Sequence, residues 1–264
     1  MQDAIRAKAK ELNVNLVELD AQGKAENQMA HCENFLSRSV DAVILNPADQ
    51  QGSAPALALV VQAHRPVVVV NSIVSNVKEA GAYVGSEDGE AGRIAAAEIM
   101  RRLDGKGQIV VIHGPYGHSA EVQRSEGIRK ELAKYPQAAI VSEQTGGWDR
   151  AKSLAVMENW LSSGRKIDAV IAQNDEMALG AEEAIEAAGK QKQILVIGID
   201  AIPDALRAVG AGKLAGTVFQ DARGQGSTAV ELAVALAQGK TVRKDNYLPF
   251  QLVTRDNLEK FLKP

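Results

Sequence analysis

A chain of 264 residues, 45% of them hydrophobic, is long enough for one large domain or two smaller ones with real cores. A formal charge of −3 with no Lys/Arg run excludes the basic footprint of a nucleic-acid binder. No stretch is long and apolar enough for a membrane-spanning helix, and Cys32, alone, excludes an internal disulfide or a cysteine metal cage.

The first segment, MQDAIRAKAKELN, places Met1, Ala4, Ile5 and Leu12 near one stripe and predicts a helix; no signal-type sequence precedes it. Short apolar runs then alternate with amphipathic segments. Strands are expected at Asn15–Leu19, Ala42–Leu45, Val67–Val70, Ala82–Val84 and Ile109–Ile112. Further strands are expected at Ala139–Val141, Asp168–Ala172, Ile194–Ile199, Thr217–Phe219 and Leu248–Val253. Helices are expected at Lys24–Ser37, Ser53–Ala63, Gly89–Leu103, Ser119–Ala133, Arg150–Ser162, Glu176–Ala188 and Gly224–Leu236. Thr254 reads as the N-cap of a final short helix, Arg255–Leu262. Cys32 and Trp160 read as core residues on their helices, and His31 and His64 as helical surface residues. Alternation of this kind means βαβ units, and runs such as VVVV are apolar on both faces, as covered parallel strands must be. So many strands and helices fit two doubly wound parallel-sheet lobes better than one sheet, with no low-complexity linker between them.

Polar residues come directly after the strands. Asn71 and Ser72 follow VVVV, His113 follows VVI, and Trp148 and Asp149 come shortly after AIV. Asn174 and Asp175 follow VIAQ, Asp200 follows VIGI, and Gln220 and Asp221 follow TVF. Ligands of open parallel sheets bind outside the carboxyl ends of the strands, which gathers these amides and carboxylates at one cleft. Any one of them alone reads first as a helix cap; the set as a whole points to a ligand with hydroxyl groups. Asp20 and Asn46 read as turn or cap residues. Trp148, after Gly146 and Gly147, either stacks on the C–H face of a sugar ring or packs at a lobe edge. Arg124, on the helix Ser119–Ala133, either reaches the cleft or is solvated.

Enzyme motifs are absent: there is no GxGxxG after a first strand, no GxxxxGK[ST] and no GxSxG. VGSEDGEAG lacks the lysine of a phosphate loop, GAGK at Gly210–Lys213 reads as a C-cap turn, and the four histidines lack metal spacing. No cofactor, metal or catalytic residue is expected.

The segments LDAQGKAENQ, VDAVILNPAD, RPVVVVNS, AQNDEMALGA, VIGIDAIPDA and GTVFQDARGQG occur here in one order. In that order they resemble the type I periplasmic sugar-binding proteins of ABC importers, close to ribose-binding proteins. The resemblance covers essentially the whole chain. It implies two α/β lobes joined by a three-crossing hinge, residues 1–86 with 221–248 and residues 87–220 with 249–264, which close on one sugar. By motif it implies that Asn174, Asp200 and Gln220 take sugar hydroxyls, that Arg124 binds the ligand and that Trp148 stacks on it. Asn71 and Ser72 stand where ribose binders carry Asp and Arg; that departure, with WDR, VFQDARGQG and PFQLVT, looks more like the branch binding inositol-type polyols. The implied partners are a sugar or polyol and a membrane permease, for a monomer in the periplasm.

Family members begin with a strand, whereas this chain begins inside the first helix. The expectation is an N-terminally short chain, without its signal peptide and the first strand of lobe one. That lobe should be weakened and ligand affinity reduced, which tight binding by the 264-residue chain would refute. The rival reading is the effector-binding core of a LacI-type transcription regulator, which shares the fold but needs a helix-turn-helix ahead of it.

Overall fold

Alternating apolar and amphipathic segments become two separate, mainly parallel sheets in the computed structural model, which describes residues 1–262. In chain order the first elements are α1 (Gln2–Glu11), α2 (Ala25–Ser37), β1 (Val43–Leu45), α3 (Ala54–Gln62), β2 (Val67–Asn71) and β3 (Ala82–Gly85). Then come α4 (Asp88–Arg102), β4 (Lys106–His113), α5 (Ser119–Leu132), β5 (Gln137–Thr145), α6 (Arg150–Ser162) and β6 (Ala169–Ala172). The rest are α7 (Asp175–Ala187), β7 (Leu195–Asp200), α8 (Pro203–Ala211), β8 (Gly216–Phe219), α9 (Ala222–Ala237), β9 (Asp245–Tyr247) and β10 (Gln251–Val253). Two compact units result. One comprises Met1–Glu87, Gly117–Ser119 and Asp221–Pro249; the other comprises Asp88–Tyr116, Ala120–Gln220 and the chain from Phe250 onward.

The first unit holds a four-stranded parallel sheet in the order β1-β2-β3-β9. Side chains alternate across a strand, so the VVVV run feeds two cores. Val67 and Val69 pack with Cys32, Leu57 and Val60 of α2 and α3, while Val68 and Val70 pack with Ala229 and Ala233 of α9. The second unit holds a six-stranded sheet in the order β10-β8-β7-β6-β4-β5, parallel except for β10 at its edge. Val110, Ile112, Val170 and Ala172 face a core with Met157, Trp160, Met177 and Ile185, from α6 and α7. Ile109, Val111, Ile171 and Ile197 face the other, with Ile99 and Ile128 from α4 and α5. Helices α6 and α7 touch closely because residue 180 is glycine: a Cβ there would collide with the Arg150 carbonyl.

Several expectations are corrected. Asn15–Leu19 is not a strand; it pairs with no strand among the described residues, and Leu19 stays 45% exposed. An apolar run becomes a strand only where a neighbour supplies a ladder of backbone partners, and β1 is instead the edge of its sheet. The final helix Arg255–Leu262 is only a short 3-10 turn, Leu258–Lys260, and Thr254 donates its N–H to Asn257 Oδ1 rather than capping it. The run Leu248–Val253 is a strand only from Gln251, and β9 precedes it unforeseen. Helix α8 was not among the expected helices, although its end was: Pro203 sits in its first turn, where proline is tolerated, and Gly212 of the GAGK C-cap turn ends it at φ +79°. His64 lies in the turn after α3 with positive φ, not on a helix.

Candidate functional site

In the second unit the strand carboxyl ends present Gln220 after β8, Asp200 at the end of β7, Asn174 after β6 and Trp148 after β5. These strands are successive neighbours except that β4 lies between β6 and β5. β4 ends in His113, and α5, the next helix, carries Arg124. Strand order turns back between β4 and β6, the kind of place where open α/β sheets bind ligands.

Arg124 is not solvated; it is 4% exposed. Its Nε donates to Asp88 Oδ1 at 2.8 Å and its Nη1 to the Gln173 carbonyl at 2.5 Å. The guanidinium lies 5.8 Å from the Trp148 ring centre and 5.9 Å from that of Phe250. Nη2 makes no hydrogen bond among the described residues. A buried guanidinium fixed on two of its nitrogens thus keeps one edge for another acceptor.

The indole is set by its backbone. Trp148 has φ +64° and comes after Gly147 at +63°. A side chain at Gly114 would overlap the ring, so that glycine clears its seat, and the ring is half-buried against the α6–α7 core.

Asp200 and Ala201 both have positive φ, +128° and +61°, conformations that non-glycine residues hold only under constraint. The Asp200 carboxylate accepts no hydrogen bond from any described residue. By surface exposure it is half-buried, but its surroundings are dense. Loss of hydration pushes its pKa up to about 7, and Asp175, Asp88 and Glu176 add to the rise while Arg124 opposes it. Asp175, fully buried, rises to about 6, again chiefly through loss of hydration, although Thr217 and the Ile202 and Ala201 N–H groups favour its charge.

For Asn174 the cap and ligand readings share one side chain. Its Oδ1 accepts the Met177 N–H at 2.9 Å, capping α7, while its amide nitrogen makes no hydrogen bond among the described residues. Gln220 sits half-buried at the end of β8, its N–H donating to the Asp200 carbonyl at 3.3 Å.

Of the other strand-end residues, Asp149, Asp221 and His113 belong to the framework. Asp149 caps α6 and Asp221 caps α9. His113, 2% exposed, is enclosed by Ser125 and Glu121 at Nδ1 and by Glu143 at Nε2. In the first unit Asn71 ends β2 at φ +63°, its carbonyl accepting the Tyr83 hydroxyl at 2.8 Å. Ser72 is buried, its Oγ 3.2 Å from His118 Nε2.

Asp88, Thr217 and Phe250 support this set and were not anticipated, whereas Asp175, expected beside Asn174 among the residues facing the ligand, is instead fully buried, its oxygens taken by the Ile202 N–H and the Thr217 hydroxyl. Asp88 reads in the sequence as a first-turn helix acid, and Thr217 as an ordinary strand residue; only distance in the fold reveals them.

The chain matches the periplasmic binding protein domain family over residues 1–241. It is 41% identical to a Rhizobium meliloti protein named for rhizopine binding, covering 92% of this chain and 80% of the relative. It is 31% identical to the ribose import binding protein of Escherichia coli K12, covering 97% of this chain and 85% of that protein. Among solved structures, an ABC transporter solute-binding protein from Bacillus halodurans C-125 with bound myo-inositol superposes with a TM-score of 0.96. That protein is 42% identical, over 98% of this chain and 91% of its own. A match of this extent separates the chain from LacI-type regulators and from enzymes of similar architecture: it belongs to the periplasmic binding protein family, the solute-binding subunits of ABC importers.

Proposed function

We propose that the chain binds a cyclic polyol of the inositol class and delivers it, as a monomer, to a membrane permease from the periplasm. The observation that carries this reading is the set of unused polar groups at the strand ends of the second unit. Asp200 offers a carboxylate without a donor, Arg124 a free Nη2, and Asn174 an unused amide nitrogen. A ring bearing hydroxyls on every carbon meets both needs, since each hydroxyl donates and accepts. Trp148 offers an apolar face to the C–H side of such a ring, a contact that needs no charge on the ligand. Gln220 adds an amide at the end of β8, and Asn71 and Ser72 are proposed contacts from the first unit. Their Asn-Ser pair, in place of the Asp-Arg of ribose binders, is a departure that argues against ribose. The greater identity to the inositol-bound protein than to the ribose import protein supports the same choice.

The test is thermal unfolding with myo-inositol, ribose and glucose. A ligand at one hundred times its dissociation constant stabilises by about 2.7 kcal/mol, roughly 5–10 °C for a protein of this size. The expected order is myo-inositol far above ribose. A larger shift with ribose, or none with any of the three, overturns the assignment. Sedimentation of the ligand-free and ligand-bound chain checks the monomer.

A further inference from the structure

Asp175 does not belong to the set of groups left open to a ligand, yet it is the fully buried carboxylate next to Asn174 at the start of α7. Both of its oxygens are used. Oδ2 accepts the Ile202 N–H at 3.0 Å, and Oδ1 accepts the Thr217 hydroxyl at 2.7 Å. Thr217 Oγ1 in turn accepts the Ala201 N–H at 3.2 Å. The two backbone N–H groups just after Asp200 therefore both end on Asp175, one directly and one through a hydroxyl. Gly198, two residues before Asp200 on β7, leaves the room: a Cβ there would collide with Asp175 Oδ1.

This anchorage explains how a strained turn persists. Asp200 and Ala201 both hold positive φ without being glycine. Such conformations survive only where the surroundings over-determine them. The sequence of residues 198–202, GIDAI, has no glycine at the two strained positions, and Ala201 has no side-chain hydrogen bond to hold its own turn. The constraint must come from elsewhere in the fold, and the paired N–H groups show where.

We propose that Asp175 is a positioning residue, which fixes the 200–202 turn so that the Asp200 carboxylate is presented to the ligand. The inference rests on Asp200 being a ligand residue, as proposed above. Asparagine at position 175 cannot replace the carboxylate. Its amide nitrogen would face either the Ile202 N–H or the Thr217 hydroxyl, and one buried donor would lose its acceptor. The two carboxylates also sense each other. Arg124, Asp175, Asp88 and Glu176 are the charged groups facing Asp200, and Asp175 is one of those that hold its proton on.

The experiment compares the full chain with Asp175→Asn and Thr217→Val. One readout is the pH midpoint of the Asp200 carboxyl, followed by carbon-13 NMR in ligand-free protein and assigned by its absence in Asp200→Asn. The other is calorimetric affinity for myo-inositol. Asp175→Asn is expected to lower the Asp200 midpoint by about one pH unit, because a neighbouring negative charge is gone. It should also weaken myo-inositol binding by about tenfold or more. Thr217→Val keeps the charge at 175 and removes one relay; it should weaken binding about fivefold and leave the midpoint nearly in place. A generally loosened unit would weaken both variants without this difference in titration. An unmoved midpoint in Asp175→Asn, or affinity within about twofold of the unaltered chain in either variant, overturns the proposal. If Asp175→Asn does not fold, Thr217→Val decides by affinity alone. If the unaltered chain gives no heat with myo-inositol, the polyol reading has failed, and the Asp200 titration still decides whether Asp175 governs that carboxyl.

Discussion

Replacing Asp88 by asparagine tests the seat of Arg124 directly. Asp88 is 2% and Arg124 4% exposed, and their one hydrogen bond is 2.8 Å long. The substitution keeps size and shape and removes one charge. The guanidinium is then held by the Gln173 carbonyl and the faces of Trp148 and Phe250. Stranding one member of a buried pair costs about 3–5 kcal/mol. The two aromatic faces, worth together roughly 1–2 kcal/mol in a dry setting, are already present and do not compensate. A loss near 3 kcal/mol would lower the melting point by roughly 6–12 °C. Urea unfolding followed by tryptophan fluorescence is the right assay, because Trp148 and Trp160 both lie in the second unit and the sequence holds two tryptophans. The midpoint should fall with the slope unchanged. Removing both charges with Asp88→Asn and Arg124→Leu together should cost less than the two single losses summed. A loss under about 1 kcal/mol for Asp88→Asn would refute the reasoning, since it would mean that water already solvates the pair.

Asp200 and Asp175, raised to about 7 and about 6, hold their protons to higher pH in the folded chain than in the unfolded one. The stability they contribute is present below about pH 4 and is lost as pH rises through 6 and 7. Melting of the ligand-free chain should therefore be higher at about pH 5.5 than at about pH 8, and Asp200→Asn should flatten most of that slope; an unchanged slope would contradict the assignment. Gly180→Ala gains about 1 kcal/mol of helix propensity but forces α7 off the Arg150 carbonyl of α6. Net destabilisation of about 1–3 kcal/mol is expected in thermal unfolding, and a neutral or stabilising result would show that the two helices can part cheaply. The Cys32 thiol, pushed up to about 11 by burial, should react with an aromatic disulfide reagent only when the first unit opens. Rapid labelling of native protein would mean that α2 is loosely packed.

Periodicity made most of the architecture legible. The VVVV run demanded two covered faces, and both exist, because a strand buried on both sides cannot tolerate a polar alternate position. The strand-end residues of the second unit were legible for a related reason: in a doubly wound sheet, chain order alone places the residue after each parallel strand at one end. Trp148 and Arg124 could be named but not judged. Whether an arginine on a helix is solvated depends on the group that stands opposite it, and Asp88 is 36 residues away in the chain.

The sequence by itself determined that the chain folds into two α/β lobes, which residues end the strands, and that no enzyme motif is present, because these are properties of local spacing and residue type. The tertiary structure alone decided the rest. It left Asn15–Leu19 without a ladder, because pairing needs a neighbour that no apolar run can supply for itself. It turned Asp149 and Asp221 into caps while leaving Asp200 open, because a carboxylate takes whatever donor the fold brings within reach. And it set Asp175 beneath Asp200 through Thr217, a contact across 42 residues that no pattern along the chain records.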